Sequence, residues 1–180
     1  MRLKIAALIA LLLAAPAHAQ VEQDFALANK VFGQLSATAV TDGIDGEWLP
    51  LTVLANLRGG DPDPGLIDSL LERICGNDPI RGAVFTAIDD TSFEMLGANT
   101  RGEMRYRFDW IDGAEFYRSF DPAQLFSVLK FDAIEGESGV KMRADAMDAY
   151  SGTVHFYRVS PDVLTMVSKH GAEVYGRCPN

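Results

Sequence analysis

The spacing of hydrophobic positions changes period along this chain. Val21, Phe25, Ala28, Phe32 and Leu35 recur on one face of a 3.6-residue turn, with Glu22, Asp24, Asn29 and Gln34 away from it. This predicts one amphipathic helix over 21–35, weakened at its end by Gly33. A loop rich in Thr, Asp and Gly follows over 36–46. The apolar run 48–57 (WLPLTVLANL) predicts a first strand, and Pro50 makes its start an edge or a bend. The sequence GGDPDP at 59–64 then breaks the chain. Leu66, Ile67, Leu70, Leu71 and Ile74 return to helical spacing, which predicts a helix over 65–74. Asp63-Pro64 suits its cap and first turn, and Gly76-Asn77 its end.

From Gly82 onward short runs alternate with turn signals. Strands are predicted near 83–88, 92–97, 103–110, 114–120, 125–131, 140–147, 153–159, 163–168 and 172–177. Asp89-Asp90, Asp112-Gly113 and Lys169-His170-Gly171 read as hairpin joints, Asp112-Gly113 most specifically, and 135–139 (EGESG) as a polar turn. Met104, Tyr106, Phe108 and Trp110 share one strand face, opposite Glu103, Arg105, Arg107 and Asp109. Val140, Met142, Ala144 and Ala146 share another, opposite Lys141, Arg143 and Asp145. Two segments read either way: Asp121-Pro122 and Ser160-Pro161-Asp162 can each open a helix, though strand is preferred for both. Phe116-Tyr117-Arg118 recurs as Phe156-Tyr157-Arg158, each followed by a Pro and an L-x-x-V-x-K run, which predicts two similar strand–bend–strand corners. Eight to ten short antiparallel strands in sequence form a mainly β meander, closed as a barrel or packed as a sandwich.

The start of the chain changes the setting of this domain. Arg2 and Lys4, the apolar run 5–15 and Ala17-His18-Ala19 have the three parts of a secretory signal peptide. The run is too short to span a membrane. Residues 1–19 are therefore expected to be a signal peptide cleaved after Ala19, leaving 20–180 as one secreted domain, most simply periplasmic. Loss of Arg2 and Lys4 takes the formal net charge from −9 to about −11. An acidic chain without a basic run has no footprint for nucleic acid or anionic lipid. In an oxidising compartment the two cysteines, Cys75 and Cys178, read as one disulfide tying the second helix to the C-terminus.

Gly46-Glu47-Trp48 opens the first strand after an N-terminal helix. It resembles the G-x-W signature of lipocalins and related calycin barrels, in which the Trp closes the barrel bottom. The disulfide from the C-terminal region to the body resembles that family too. The resemblance implies a lipocalin-like barrel over roughly 46–178, with one helix in the loop after the first strand. It also implies a non-enzymatic module that carries a small apolar or amphipathic ligand.

The residues themselves offer little catalytic chemistry. No nucleophile elbow, zinc-protease, phosphate-loop or dinucleotide motif occurs, so no cofactor and no metal site is implied. His155 and His170 have no ligand-spaced partners and read as strand-surface and turn residues. The acidic pairs Asp61/Asp63 and Asp89-Asp90 lie beside turn residues, where Asp is favoured for local backbone bonding. Arg118 and Arg158 carry more weight. Strand parity puts each on the face of the Phe two residues earlier, Phe116 or Phe156. If that face is interior, the two guanidinium groups are candidate anchors for the anionic head of an apolar ligand, with Tyr106 and Trp110 lining the pocket. Otherwise each Arg lies at a strand end, its stem covering apolar surface and its head in water. Two further function classes stay open. One is a protein-interaction or assembly factor, which predicts an exposed apolar patch at Phe25, Phe32 or Leu35. The other is a hydrolase, which requires His155 or His170 to meet a Ser or carboxylate in a cleft.

Overall fold

The structure is a computed structural model that describes residues 17–56, 64–76, 82–99 and 102–179. Most of the expected signal peptide (1–16), most of the 59–64 break and Asn77 lie outside the described residues.

Eight strands pair consecutively and antiparallel and close on themselves, which selects the barrel over the sandwich. They are β1 (Gly46–Pro50), β2 (Ala83–Asp89), β3 (Ser92–Asn99), β4 (Gly102–Asp112), β5 (Glu115–Phe120), β6 (Gly152–Ser160), β7 (Val163–Ser168) and β8 (Gly171–Arg177). Closure is made by β1, which pairs with β2 (Trp48 opposite Ala83) and with β8 (Trp48 opposite Arg177). The alternation expected for β4 is present: Met104, Tyr106 and Phe108 are buried while Glu103, Arg105 and Arg107 are exposed. At the Asp112-Gly113 joint, Gly113 has φ +50° and its N–H donates to Asp112 Oδ1 at 2.8 Å, the geometry this dipeptide favours.

The first helix, α1 (Ala17–Phe32), runs along the outside of β6 and stops where Gly33 N–H donates to Asn29 O at 2.9 Å. The loop after it contains a short turn of helix, α2 (Thr38–Thr41). The end of the barrel that receives this loop, with the β2–β3, β4–β5 and β6–β7 turns, is called lower here. The upper end receives the β7–β8 turn and the excursion between β5 and β6.

One expected strand is cut short and two are helical. The segment 48–57 is β1 as far as Pro50 and then α3 (Leu51–Asn56), because Pro50 ends the ladder and Glu173 Oε1 accepts from Thr52 and Val53 N–H at 3.0 and 3.4 Å. Most of the segment 125–131 belongs to α5 (Pro122–Leu129). Asp121 caps it, accepting from Ala123 N–H at 2.9 Å, and Pro122 fills the first turn, where a missing N–H costs nothing. The segment 140–147 lies in α6 (Gly136–Tyr150), which also absorbs most of the expected polar turn at 135–139. Its alternation is coincidental: Val140 is 61% exposed, and only Gly139 and Ala146 are buried. Ala, Met, Lys and Arg in this run are good helix formers. Arg143 Nη1 fastens α6 to the preceding loop through Phe131 O at 2.9 Å and Ile134 O at 3.1 Å.

A second, smaller core lies outside the barrel. Leu49 and Leu51 pack with Ile67, Leu71 and Ile74 of α4 (Pro64–Ile74) around the Cys75–Cys178 disulfide. This bridge joins residues 103 apart and holds α4 against the β1–β8 seam.

The α5 terminus yields a test. Lys130 ends the helix in the left-handed region at φ +60°, where its N–H donates to Phe126 and Ser127 carbonyls. A side chain in this conformation costs about 1 kcal/mol, and glycine avoids that cost. Lys130→Gly is therefore expected to raise unfolding stability by about 0.5–1 kcal/mol in chemical denaturation. A loss of stability would contradict the helix end described here.

Candidate ligand-binding site

The middle of the barrel is filled with rings. Phe85, Phe93, Phe108, Phe116 and Phe156 are all fully buried. Phe93 is their hub, with ring centroids 4.9 Å from Phe108, 5.1 Å from Phe156, 5.4 Å from Phe116 and 5.9 Å from Phe85. Phe116 and Phe156 meet Phe93 edge to face, the arrangement favoured by the ring quadrupole, while Phe108 stacks on it and Phe85 is tilted.

Below this layer the barrel is shut. Trp48 is fully buried and donates from Nε1 to Ile44 O at 2.9 Å. Two guanidinium groups lie over its ring, Arg177 at 4.2 Å and Arg158 at 5.2 Å from the centroid. Both are occupied by backbone carbonyls of the covering loop. Arg177 donates to Gly43 O and, at 2.6 Å, to Asp45 O. Arg158 donates to Val40 O at 2.6 Å and Asp42 O at 3.2 Å. Burial and the Arg177 charge press Arg158 down to about 10, which leaves it a cation at neutral pH. Trp110, at the same end, donates from Nε1 to Gly113 O at 2.9 Å.

Above the ring layer the situation reverses. Arg118 is 8% exposed, and no carboxylate lies within salt-bridge distance among the described residues. Its Nη2 donates to Ala149 O in the last turn of α6 at 3.1 Å, while Nε is buried and has no acceptor among the described residues. The guanidinium carbon sits 5.7 Å from the centre of the Tyr106 ring, and Tyr150 stacks on that ring at 6.5 Å. Burial lowers the Arg118 pKa, and the phenol oxygens of Tyr106, Tyr175 and Tyr150 oppose that shift. Burial in turn pushes the Tyr106 phenol up to about 12 and raises Tyr175 further, so both remain neutral hydroxyls. The upper barrel thus holds a buried cation surrounded by neutral hydroxyls. The Arg118 Nε–H is the donor that a planar anion would complete.

Strand parity placed Arg118 on the face of Phe116 and Arg158 on that of Phe156; this face is the inner one, yet the two arginines lie at opposite ends. β5 and β6 are antiparallel neighbours (Phe116 opposite Val154, Arg118 opposite Gly152), so the same tripeptide points upward in one and downward in the other. The expected matching corners differ for this reason: the first leads into α5 and the second into a hairpin. Phe116 and Phe156 belong to the central ring layer, Trp110 to the closed end, and of the expected lining residues only Tyr106 lies beside Arg118. Tyr175 was within reach of the same parity argument, being two residues from Arg177 on β8. Tyr150 was not, because its helix read as a strand. His155 stacks on Tyr157 at 6.4 Å on β6, and His170 bonds through Nε2 to Ala149 O at 3.2 Å. Among the described residues no cluster of three His, Cys, Asp or Glu side chains is placed to hold a metal ion.

The two arginines are expected to behave oppositely on replacement. Arg158→Met removes donors from several carbonyls at the closed end and should cost about 2–3 kcal/mol. Arg118→Met replaces an uncompensated buried charge with apolar volume and should stabilise the ligand-free protein by about 1 kcal/mol. Thermal unfolding of both variants checks the contrast. The phenols add a pH dependence. A folded-state pKa raised from 10.0 to about 12 stabilises the fold fully below 10.0, and this contribution is lost as pH rises towards about 12. Denaturation midpoints should therefore fall across that window, less steeply in Tyr106→Phe.

Comparison with protein-family models, curated proteins and solved structures finds no match for this chain.

Proposed function

We propose that this protein is a non-catalytic binding module for a small amphipathic anion held by Arg118 in the upper barrel. One observation carries the reading: among the described residues, a guanidinium that is 8% exposed has a single carbonyl partner and an orphaned Nε. A buried charge left in this state is costly unless an anion completes it. Eight-stranded barrels are just filled by side chains or just hold one small ligand. Here Trp48 and the phenylalanines fill the lower and middle levels, so a ligand belongs above them. The Trp48 that follows Gly46 in the first strand, buried at the closed end, supports kinship with lipocalin-like carriers. The Cys75–Cys178 disulfide supports work in an oxidising compartment, which agrees with residues 1–19 acting as a leader for export to the periplasm.

A second reading, a protein-interaction or assembly factor, has its own support. Val21, Phe25, Phe32 and Leu35 are 67%, 70%, 65% and 81% exposed, so α1 and the loop after it present much of their apolar surface outward.

Native mass spectrometry of the exported protein tests both. The expected result is a stoichiometric small anion that is absent from Arg118→Met. Retention of the same molecule by that variant would overturn the Arg118 site. A co-purifying protein lost from Phe25→Ser/Phe32→Ser, with no small molecule bound, would favour the second reading.

A further inference from the structure

On the outer face of the upper end, a groove of about 380 Å³ runs between α6 and the end of α5. Met142, Asp145, Ala149 and Tyr150 line it from one face of α6, and Leu129 and Phe131 form the facing wall. Its volume falls within the ~300–1,000 Å³ of small-molecule clefts. The walls are held from behind: Leu129, Phe131 and Tyr150 pack against the barrel core, and Tyr150 stacks on the Tyr106 ring at 6.5 Å. The groove is therefore preformed, and Arg118 does not line it.

The charge at the groove has one sign. Among the described residues Asp145 is its one charged lining side chain, and no cation lies within salt-bridge distance of that carboxylate. The basic residues nearest to it on α6 are engaged or placed elsewhere. Arg143 is spent on the Phe131 and Ile134 carbonyls, and neither Arg143 nor Lys141 lines the groove. The groove also lies at the C-terminal end of α6, where the helix dipole is negative. That end already holds an ammonium group, since Lys169 Nζ donates to Asp148 O and, at 2.6 Å, to Asp148 Oδ2. Apolar walls, two aromatic rings and an unpaired carboxylate together are the chemistry that recognises an organic cation, because ring faces and carboxylates both attract positive charge.

We propose that this groove is a second binding site, for an amphipathic ammonium cation with its head beside Asp145 and its apolar part along Leu129, Met142 and Ala149. It goes beyond the binding-module reading and is independent of it, since the site lies outside the barrel and uses no atom of Arg118. The sign of the ligand follows from Asp145 and from the net charge of −9, which draws cations to the surface. Its apolar part follows from the walls: a small hydrated cation would gain only one exposed carboxylate, which by itself holds little.

Calorimetric titration with decyltrimethylammonium, below its micellar range, tests this on the intact protein and three variants. Asp145→Asn removes the carboxylate at an exposed position. Met142→Lys puts a cation into the groove at a residue already 36% exposed, and Val140→Lys puts the same charge on α6 at a 61% exposed residue that does not line the groove. Decyltrimethylammonium is expected to bind the parent protein one-to-one, and to lose about threefold to fivefold in affinity in Asp145→Asn and about tenfold or more in Met142→Lys. Val140→Lys should stay within about twofold of the parent. Decanoate, with a similar chain and the opposite charge, should not displace the bound cation. Tetramethylammonium, which lacks the chain, should bind at least about tenfold more weakly. Equal losses in Met142→Lys and Val140→Lys would overturn the inference, because net charge and not the groove would then be drawing the cation. Displacement by decanoate, undiminished binding to Asp145→Asn, or no binding to the parent protein would overturn it as well, and each leaves the Arg118 reading untouched.

Discussion

Closure of the barrel depends on a five-residue strand. β1 must satisfy β2 on one edge and β8 on the other, and it has few backbone bonds with which to do so. The seam is reinforced from both faces. Inside, Trp48 is held under Arg177 and Arg158, whose remaining donors take the carbonyls of the loop that leads into the strand. Outside, Leu49 and Leu51 pack on α4, and the disulfide anchors that helix beside β8. A closed sheet has no edge to expose, but only while the shortest strand keeps its place.

The two ends of the barrel then follow different rules. At the lower end the cations over Trp48 are spent on carbonyls, which is how a structural arginine is accommodated. At the upper end the buried cation has one carbonyl and an unused donor. Both arginines occur in the same tripeptide on adjacent strands, so residue type does not explain the contrast. It arises because antiparallel strands deliver equal sequences to opposite ends, where one meets a loop of carbonyls and the other meets phenols. A group kept buried without its full set of partners lowers stability, and such sites concentrate where function requires them.

The excursion between β5 and β6 gives the upper end its character. α5 starts from a capped Asp-Pro turn and ends in a left-handed Lys130, and α6 returns the chain so that its C-terminal carbonyls meet cations. Lys169 donates to Asp148 O, while Arg118 and His170 share Ala149 O. The Lys169 and Arg118 cations at this terminus complement the helix dipole. The arrangement ties the barrel interior and the β7–β8 turn to a single turn of helix.

The alternation of β4, the Asp112-Gly113 turn, the two early helices, the cysteine pair and the shared parity of Phe116 with Arg118 and of Phe156 with Arg158 were all readable in the sequence, though not which face is interior. Each depends on local stereochemistry or on the two-residue period of a strand. The helices α5 and α6 were not readable with the same security. A run such as Val-Lys-Met-Arg-Ala-Asp-Ala satisfies a strand's alternation by chance while its residues favour helix, and local pattern cannot arbitrate between them. Tertiary structure decided that the sheet closes with eight strands and that the two arginines part to opposite ends. It also decided that Tyr150 and Tyr175 face Arg118 while, among the described residues, no acid does. The reason is that parity assigns a side chain to a face, whereas strand direction and barrel closure assign it to a level. Whether a buried charge finds a partner depends on that level.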